Sequence, residues 1–269
     1  ELTAFINSFL TPVSDIVTYY EEAGSGDALV LLTGLGADLQ SWALTAPALA
    51  KQFRVVMPDN RGAGRTSAPD RPYAIAQMAG DVVALLDRMG IEKANLVGFS
   101  MGGFVAQEVA INHPGRVEKL VLMNTAGSID GYGRAILRSL IDIRRSNMSR
   151  EQQVRHMAHL LYSPALLDDD ARYERGLQNS LANPYQQQDH AFIRQAQACM
   201  AFDATGRHSK IKAQTLVVAS SEDMFVPARN GQKLAKAISG ATFKELPGGH
   251  VGFIEYPNEY NAALLEFLG

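Results

Sequence analysis

Residues 94–113 read ANLVGFSMGGFVAQEVAINH. A short apolar run, Leu96 and Val97, meets Gly98-Phe99-Ser100-Met101-Gly102. It then passes directly into apolar residues at helical spacing, Phe104, Val105, Val109 and Ile111. This change of period predicts a strand that turns sharply into a helix with a serine at the apex. Glycines two before and two after Ser100 are what such a turn requires, because a residue in strained backbone geometry needs neighbours without a Cβ.

Working outward, residues 16–20, 28–32, 53–57, 117–123, 215–219 and 242–246 read as further strands, several of them continuous apolar runs suited to a parallel sheet covered on both faces. A helix is expected through Trp42, Leu44 and Leu49, an amphipathic one over 75–89 stopped by Gly90, and a closing one over 259–268. His113-Pro114-Gly115 ends the helix after Ser100, which makes His113 a helix-end residue. Residues 58–66, PDNRGAGRT, read as a Gly-rich turn pinned by Asp59 and Arg61; the stretch lacks the Lys and the spacing of a phosphate-cradling loop.

From 125 to 210 the alternation of strand and helix stops. Four helices are expected at 132–145, 149–161, 169–181 and 191–202, the second opened by a Ser149/Gln152 capping box. An all-helical block within an α/β pattern reads as an inserted cap, giving a core domain of residues 1–124 and 211–269 and a cap of 125–210. The block is rich in arginine, from Arg134 to Arg207, with acids in similar number, so most of these charges are expected on solvated faces. An arginine turned into a pocket would meet an anionic substrate. His156 and His159 share a helix face without a third ligand or the H-E-x-x-H spacing, so no metal site and no cofactor is expected.

Composition narrows the classes. The 269 residues are 46% hydrophobic and 20% charged, enough for a large core in one domain with an insertion. A formal charge of -3 provides no basic field for nucleic acid or an anionic membrane. Cys199 is the only cysteine, so no intrachain disulfide can form, which leans towards the cytoplasm; it reads as a small buried helix residue. The apolar opening, residues 1–10, is too short to span a bilayer or to make a complete signal peptide. The expected partner is a small-molecule substrate, and a homodimer is compatible with the sequence.

Three groups follow predicted strands directly: Ser100, Asp223 and His250. In an open parallel sheet the loops after the strands share one edge, so residues distant in sequence converge there. A serine hydroxyl is a poor nucleophile until an imidazole takes its proton, and the imidazole needs a carboxylate to fix its tautomer. His250 is the expected base and Asp223 its orienter, with the adjacent Glu222 as the rival acid. The backbone N–H groups of Met101 and of Leu35, in the Thr33-Gly34-Leu35-Gly36 loop, are the candidate donors to an oxyanion.

The chain resembles the α/β-hydrolase superfamily over nearly its whole length, through TGLG at 33–36, DNRGAGRT, GFSMGG, SSEDMFVP and GGHVGFIEYP. GFSMGG, the NTAGS at 124–128 and the helical block are similar to 3-oxoadipate enol-lactonases and small carboxylesterases. The resemblance implies a mostly parallel, doubly wound sheet with a helical cap, the order Ser, Asp, His, and a hydrolase that cleaves an ester or lactone through an acyl-enzyme. Pro227 at the family's spacing favours Asp223 over Glu222. Asn124 occupies a position from which some relatives supply the acid, and as an amide it cannot do so. Thr33 replaces the usual His before the oxyanion loop, and Gln214 replaces a common Pro. Carbon-carbon bond hydrolases, thioesterases and cofactor-free perhydrolases among the relatives keep the same three groups, and Thr33 admits a ligand-binding protein without turnover on this fold.

Overall fold

The structure, a computed structural model, describes residues 7–269, so the sequence expectation for the first six residues lies outside it. Strands β1 (Asn7–Val13), β2 (Ile16–Ala23), β3 (Asp27–Leu32), β4 (Phe53–Pro58), β5 (Ala94–Phe99), β6 (Val117–Met123), β7 (Gln214–Ser220) and β8 (Thr242–Leu246) form one sheet in the order β1-β2-β4-β3-β5-β6-β7-β8. β2 pairs antiparallel with β1 and β4; every later neighbour is parallel, from β4/β3 through β7/β8. The helices are α1 (Ala46–Leu49), α2 (Ile75–Arg88), α3 (Met101–Asn112), α4 (Gly131–Arg145), α5 (Arg150–Leu161), α6 (Pro164–Leu167), α7 (Asp170–Ala182), α8 (Asp189–Ala201), α9 (Ala228–Ala237), α10 (Gly252–Glu255) and α11 (Pro257–Leu268).

The continuous apolar runs are explained by the two faces they feed. Val30, Leu32, Leu96, Leu120, Leu122 and Val217 pack with α2, α3 and α9, whereas their neighbours Leu29, Leu31, Val97, Val121, Leu216 and Val218 pack with Trp42, Leu49, Phe253 and α11. Successive side chains of a strand point to opposite faces, so a sheet covered twice needs both sets apolar. At about 25 cal/mol per Å², each fully buried Leu or Val contributes roughly 1.5–3 kcal/mol. The alternation continues until each parallel strand ends, and there the polar residues of the site begin.

Three local differences from the sequence expectation have physical causes. β1 is an edge strand whose side chains are mostly exposed, so no buried pattern marked it. The helix expected through Trp42 and Leu49 is a 3-10 turn at Leu39–Trp42 followed by α1, because Pro47 has no N–H to continue a helix and sits instead in the first turn of a new one. Between β6 and β7 the short α6 joins the four expected helices, started by Ser163, whose side chain accepts from Leu166 N–H. The Ser149/Gln152 capping box is formed as read. No helix among the described residues is long and apolar enough to cross a membrane.

Candidate active site

β5 ends on Phe99, and Ser100 follows with φ 53° and ψ −116° before α3 begins at Met101. Such a conformation costs a non-glycine residue about 1–3 kcal/mol and persists only where its surroundings hold it. Here they do: Ser100 N–H donates to Met123 O at 2.9 Å, and Thr125 Oγ1 donates to Ser100 O at 2.8 Å. A Cβ on Gly102 would collide with the Leu32 carbonyl, and one on Gly98 with the backbone at Gly102. The glycines read from the sequence are therefore demanded by close packing of α3 against β3 and β5.

The loops after β5, β7 and β8 bring Ser100, Asp223 and His250 together. His250 Nε2 lies 2.9 Å from Ser100 Oγ, and His250 Nδ1 lies 2.7 Å from Asp223 Oδ2. All three are buried. Asp223 Oδ1 accepts from the N–H groups of Phe225 at 2.8 Å and Val226 at 2.7 Å, which fixes the carboxylate plane. Phe99 and Phe225 flank the imidazole with centroids 5.0 and 4.9 Å away. Glu222 is exposed and makes none of these contacts.

The N–H groups of Leu35 and Met101 find no acceptor among the described residues. Leu35 sits in the loop after β3, and both residues line a small cleft beside Ser100. Thr33, the departure noted in the sequence, does brace this loop. Its Oγ1 donates to Ala37 O at 3.2 Å, while buried Asn60 donates through Nδ2 to Thr33 O at 3.0 Å and to Oγ1 at 3.1 Å. The pinned turn is also as expected: Asp59 accepts from Leu39 N–H at 2.8 Å and Arg65 N–H at 2.9 Å. Burial nevertheless pushes the Asp59 carboxyl up to about 6. The fully buried Arg61 forks onto Asp81 and also meets Asp15.

Other residues of the site have roles that no sequence pattern assigned to them. Asn124, with φ 48°, donates through Nδ2 to His250 O at 2.6 Å and Ser220 Oγ at 2.7 Å, and its Oδ1 accepts from Ser220 N–H at 3.0 Å. It holds the histidine loop where an acid in that position would face a carbonyl. From the helical insertion, Gln195 donates to Arg61 O at 2.8 Å and accepts from Gly36 N–H at 3.2 Å, and Gln187 donates to Gly62 O at 2.8 Å. Glu255 accepts from Gly249 N–H at 3.0 Å and from Ser163 N–H and Oγ. Thus the insertion is bonded to the very loops that carry Leu35 and His250. Below it lies a cavity of about 500 Å³ lined by Leu35, Ser100, His250, Phe225, Arg144 and Arg150, among others.

A deprotonatable hydroxyl, an oriented imidazole and two unpaired N–H groups, with Ser100 and Leu35 shared between the cleft and the larger cavity, can carry out acyl transfer. Comparison with known proteins agrees with the fold. A family model described as alpha/beta hydrolase fold matches residues 27–257. The chain is 34% identical over 260 residues to a Caulobacter sp. (strain K31) protein provisionally named carbamate hydrolase RutD, covering 93% of this chain and 95% of that protein. It is 29% identical to 3-oxoadipate enol-lactonase 2 of Acinetobacter baylyi, over 93% and 92% of the two chains. Among solved structures, the enol-lactonase from Burkholderia xenovorans LB400 superposes with a TM-score of 0.89 at 27% identity, covering 97% of this chain and 99% of that one. In sequence, strand order and overall superposition, this chain belongs to the alpha/beta hydrolase fold family.

Proposed function

We propose that this chain is a serine hydrolase that cleaves a carboxylic ester or lactone of a small molecule through an acyl-enzyme. The observation that carries the reading is the continuous relay from Ser100 Oγ through the imidazole of His250 to Asp223, at 2.9 and 2.7 Å. Ser100 Oγ attacks the carbonyl carbon as His250 Nε2 takes its proton, and the carbonyl oxygen becomes an oxyanion facing the N–H groups of Leu35 and Met101. Asp223 holds Nδ1–H and stabilises the imidazolium that forms. His250 then returns the proton to the leaving oxygen. Water, activated by the same imidazole, opens the acyl-enzyme, so ester and water become acid and alcohol, or lactone and water a single open-chain product.

The names borne by the relatives, carbamate hydrolase and enol-lactonase, both describe attack on an activated carbonyl, the step these groups serve. We take residues 125–210 as the cap and 1–124 with 211–269 as the hydrolase core, working in the cytoplasm, since the single cysteine offers no intrachain disulfide. The alternative, a ligand-binding protein without turnover, rests on Thr33, and the Thr33–Asn60 bonds supply the bracing whose loss it requires. Ser100→Ala should lower kcat/KM for p-nitrophenyl esters by about 10³-fold or more and abolish fluorophosphonate labelling. Turnover near wild type in that variant would end the proposal.

A further inference from the structure

Two arginines of the insertion differ from the rest in lining the cavity below it. Arg155 is held by Glu151 and Glu174, Arg194 by Asp70, and Arg207 by Glu108. Arg144 and Arg150 instead both line the cavity that contains Ser100 and His250. Arg144 lies in the last turn of α4 and Arg150 opens α5, so one short turn delivers both guanidinium groups to the same cavity.

Their charges are poorly compensated. Arg144 is only 7% exposed; it reaches one carboxylate, Asp189 at 3.1 Å, and stacks 4.3 Å over the Phe192 ring. Asp189 is itself largely solvated, with a side chain 60% exposed. Arg150 forms no ion pair among the described residues, and its Nε is buried without an acceptor. Burial, and then the neighbouring Arg144 charge, pull the Arg150 guanidinium down to about 10, so Arg150 remains a cation at neutral pH. Arg150 also stands at the N-terminal end of α5, where the helix macrodipole disfavours a cation. A buried donor and a surplus of positive charge are costly unless something anionic meets them.

We propose that Arg150, with Arg144 beside it, is a carboxylate subsite, so that the ester or lactone cut at Ser100 carries a free carboxylate remote from the scissile carbonyl. The planar guanidinium fork matches a carboxylate in two parallel hydrogen bonds. The Gln152 N–H at the start of α5 is already taken by Ser149 Oγ in the capping box, which leaves the two guanidinium groups as the charged donors there. Val154, Met157, Phe225 and Phe253 also line the cavity and suit the short aliphatic spacer between the two ends of such a substrate. The inference rests on the serine-hydrolase reading only for which bond is broken.

The test compares two p-nitrophenyl esters of equal chain length, one ending in methyl and one in carboxylate. Wild type should favour the carboxylate ester in kcat/KM by about tenfold or more, and Arg150→Gln should lower that ratio about tenfold. Arg145→Gln, on the exposed side of α4, should leave the ratio unchanged. No preference in wild type, or a ratio unmoved by Arg150→Gln, overturns the subsite. A second arm needs no turnover: glutarate binding to Ser100→Ala, measured by calorimetry, should weaken about tenfold when Arg150→Gln is added. Equal binding in the two proteins, or tighter binding of inorganic phosphate than of glutarate, also overturns it. Failure of wild type to cleave either ester would refute the hydrolase reading while the calorimetric arm still decides the subsite.

Discussion

Asn124→Ala tests whether the amide after β6 holds the histidine loop. The substitution removes three hydrogen bonds, to Ser220 N–H, Ser220 Oγ and His250 O. Ser220 Oγ keeps Tyr260 at 2.6 Å, so its loss is small. The Ser220 N–H and the His250 carbonyl are left buried without partners, at about 1–3 kcal/mol each. Alanine at a φ of 48° adds about 1 kcal/mol that asparagine largely avoids. The total, about 3–7 kcal/mol, is a large share of the roughly 5–15 kcal/mol that holds a typical domain together. Urea unfolding followed through Trp42 reads it directly, since this tryptophan, the only one in the chain, is fully buried 5.1 Å from Phe253. With a slope of about 3 kcal/mol per M, the midpoint should fall by about 1 M or more. Asn124→Gly should be less harmed than Asn124→Ala by about 1 kcal/mol, and ester turnover should fall in both as His250 loses its tether. A midpoint within about 0.3 M of wild type together with unchanged kcat/KM would refute the reasoning.

Two further outcomes follow from buried polar groups. The Asp59 carboxyl is pushed up from 3.8 to about 6 by burial, so the folded state holds that proton more tightly than the unfolded chain does. This contribution is present below about pH 4 and lost as pH rises through about 6. The stability of wild type relative to Asp59→Asn should therefore decline by up to about 3 kcal/mol between pH 4 and 7, and parallel curves in urea titrations would refute it. Gln195→Ala removes the donor to Arg61 O and the acceptor of Gly36 N–H, and should cost about 2–4 kcal/mol in stability. By loosening the Leu35 loop it should also lower kcat/KM about ten- to hundredfold, whereas an unaltered rate would show that the loop does not need this bond.

How far the sequence reached depended on whether a residue's work is local. Ser100 was legible because Gly98 and Gly102 are demanded within five residues of chain, and the double-faced sheet because its strands are apolar throughout. His250 and Asp223 were legible because strand ends share one edge. Asn124 was visible as a position and opaque as a brace: its bonds depend on the register that sets Leu122 beside Val217 and brings Ser220 within reach. Asn60, Gln187, Gln195 and Glu255 act across 27 to 159 residues of chain or bridge insertion and core, and no spacing rule announces that. Among the arginines of 125–210, selecting Arg144 and Arg150 required the rotation of α4 and α5 about their axes, which the packing of α4 on α8 helps to set.

The bonds from Gln187, Gln195 and Ser163 have an evolutionary consequence. A roof fastened through the working loops cannot be exchanged for another, or trimmed away, without disturbing the floor: splicing β6 directly to β7 would strip partners from Arg61 O, Gly62 O and Gly36 N–H and leave Glu255 with Gly249 alone. The inner walls, by contrast, can be repainted one side chain at a time at positions such as Val154, Met157 or Arg150 with every one of these fasteners left in place.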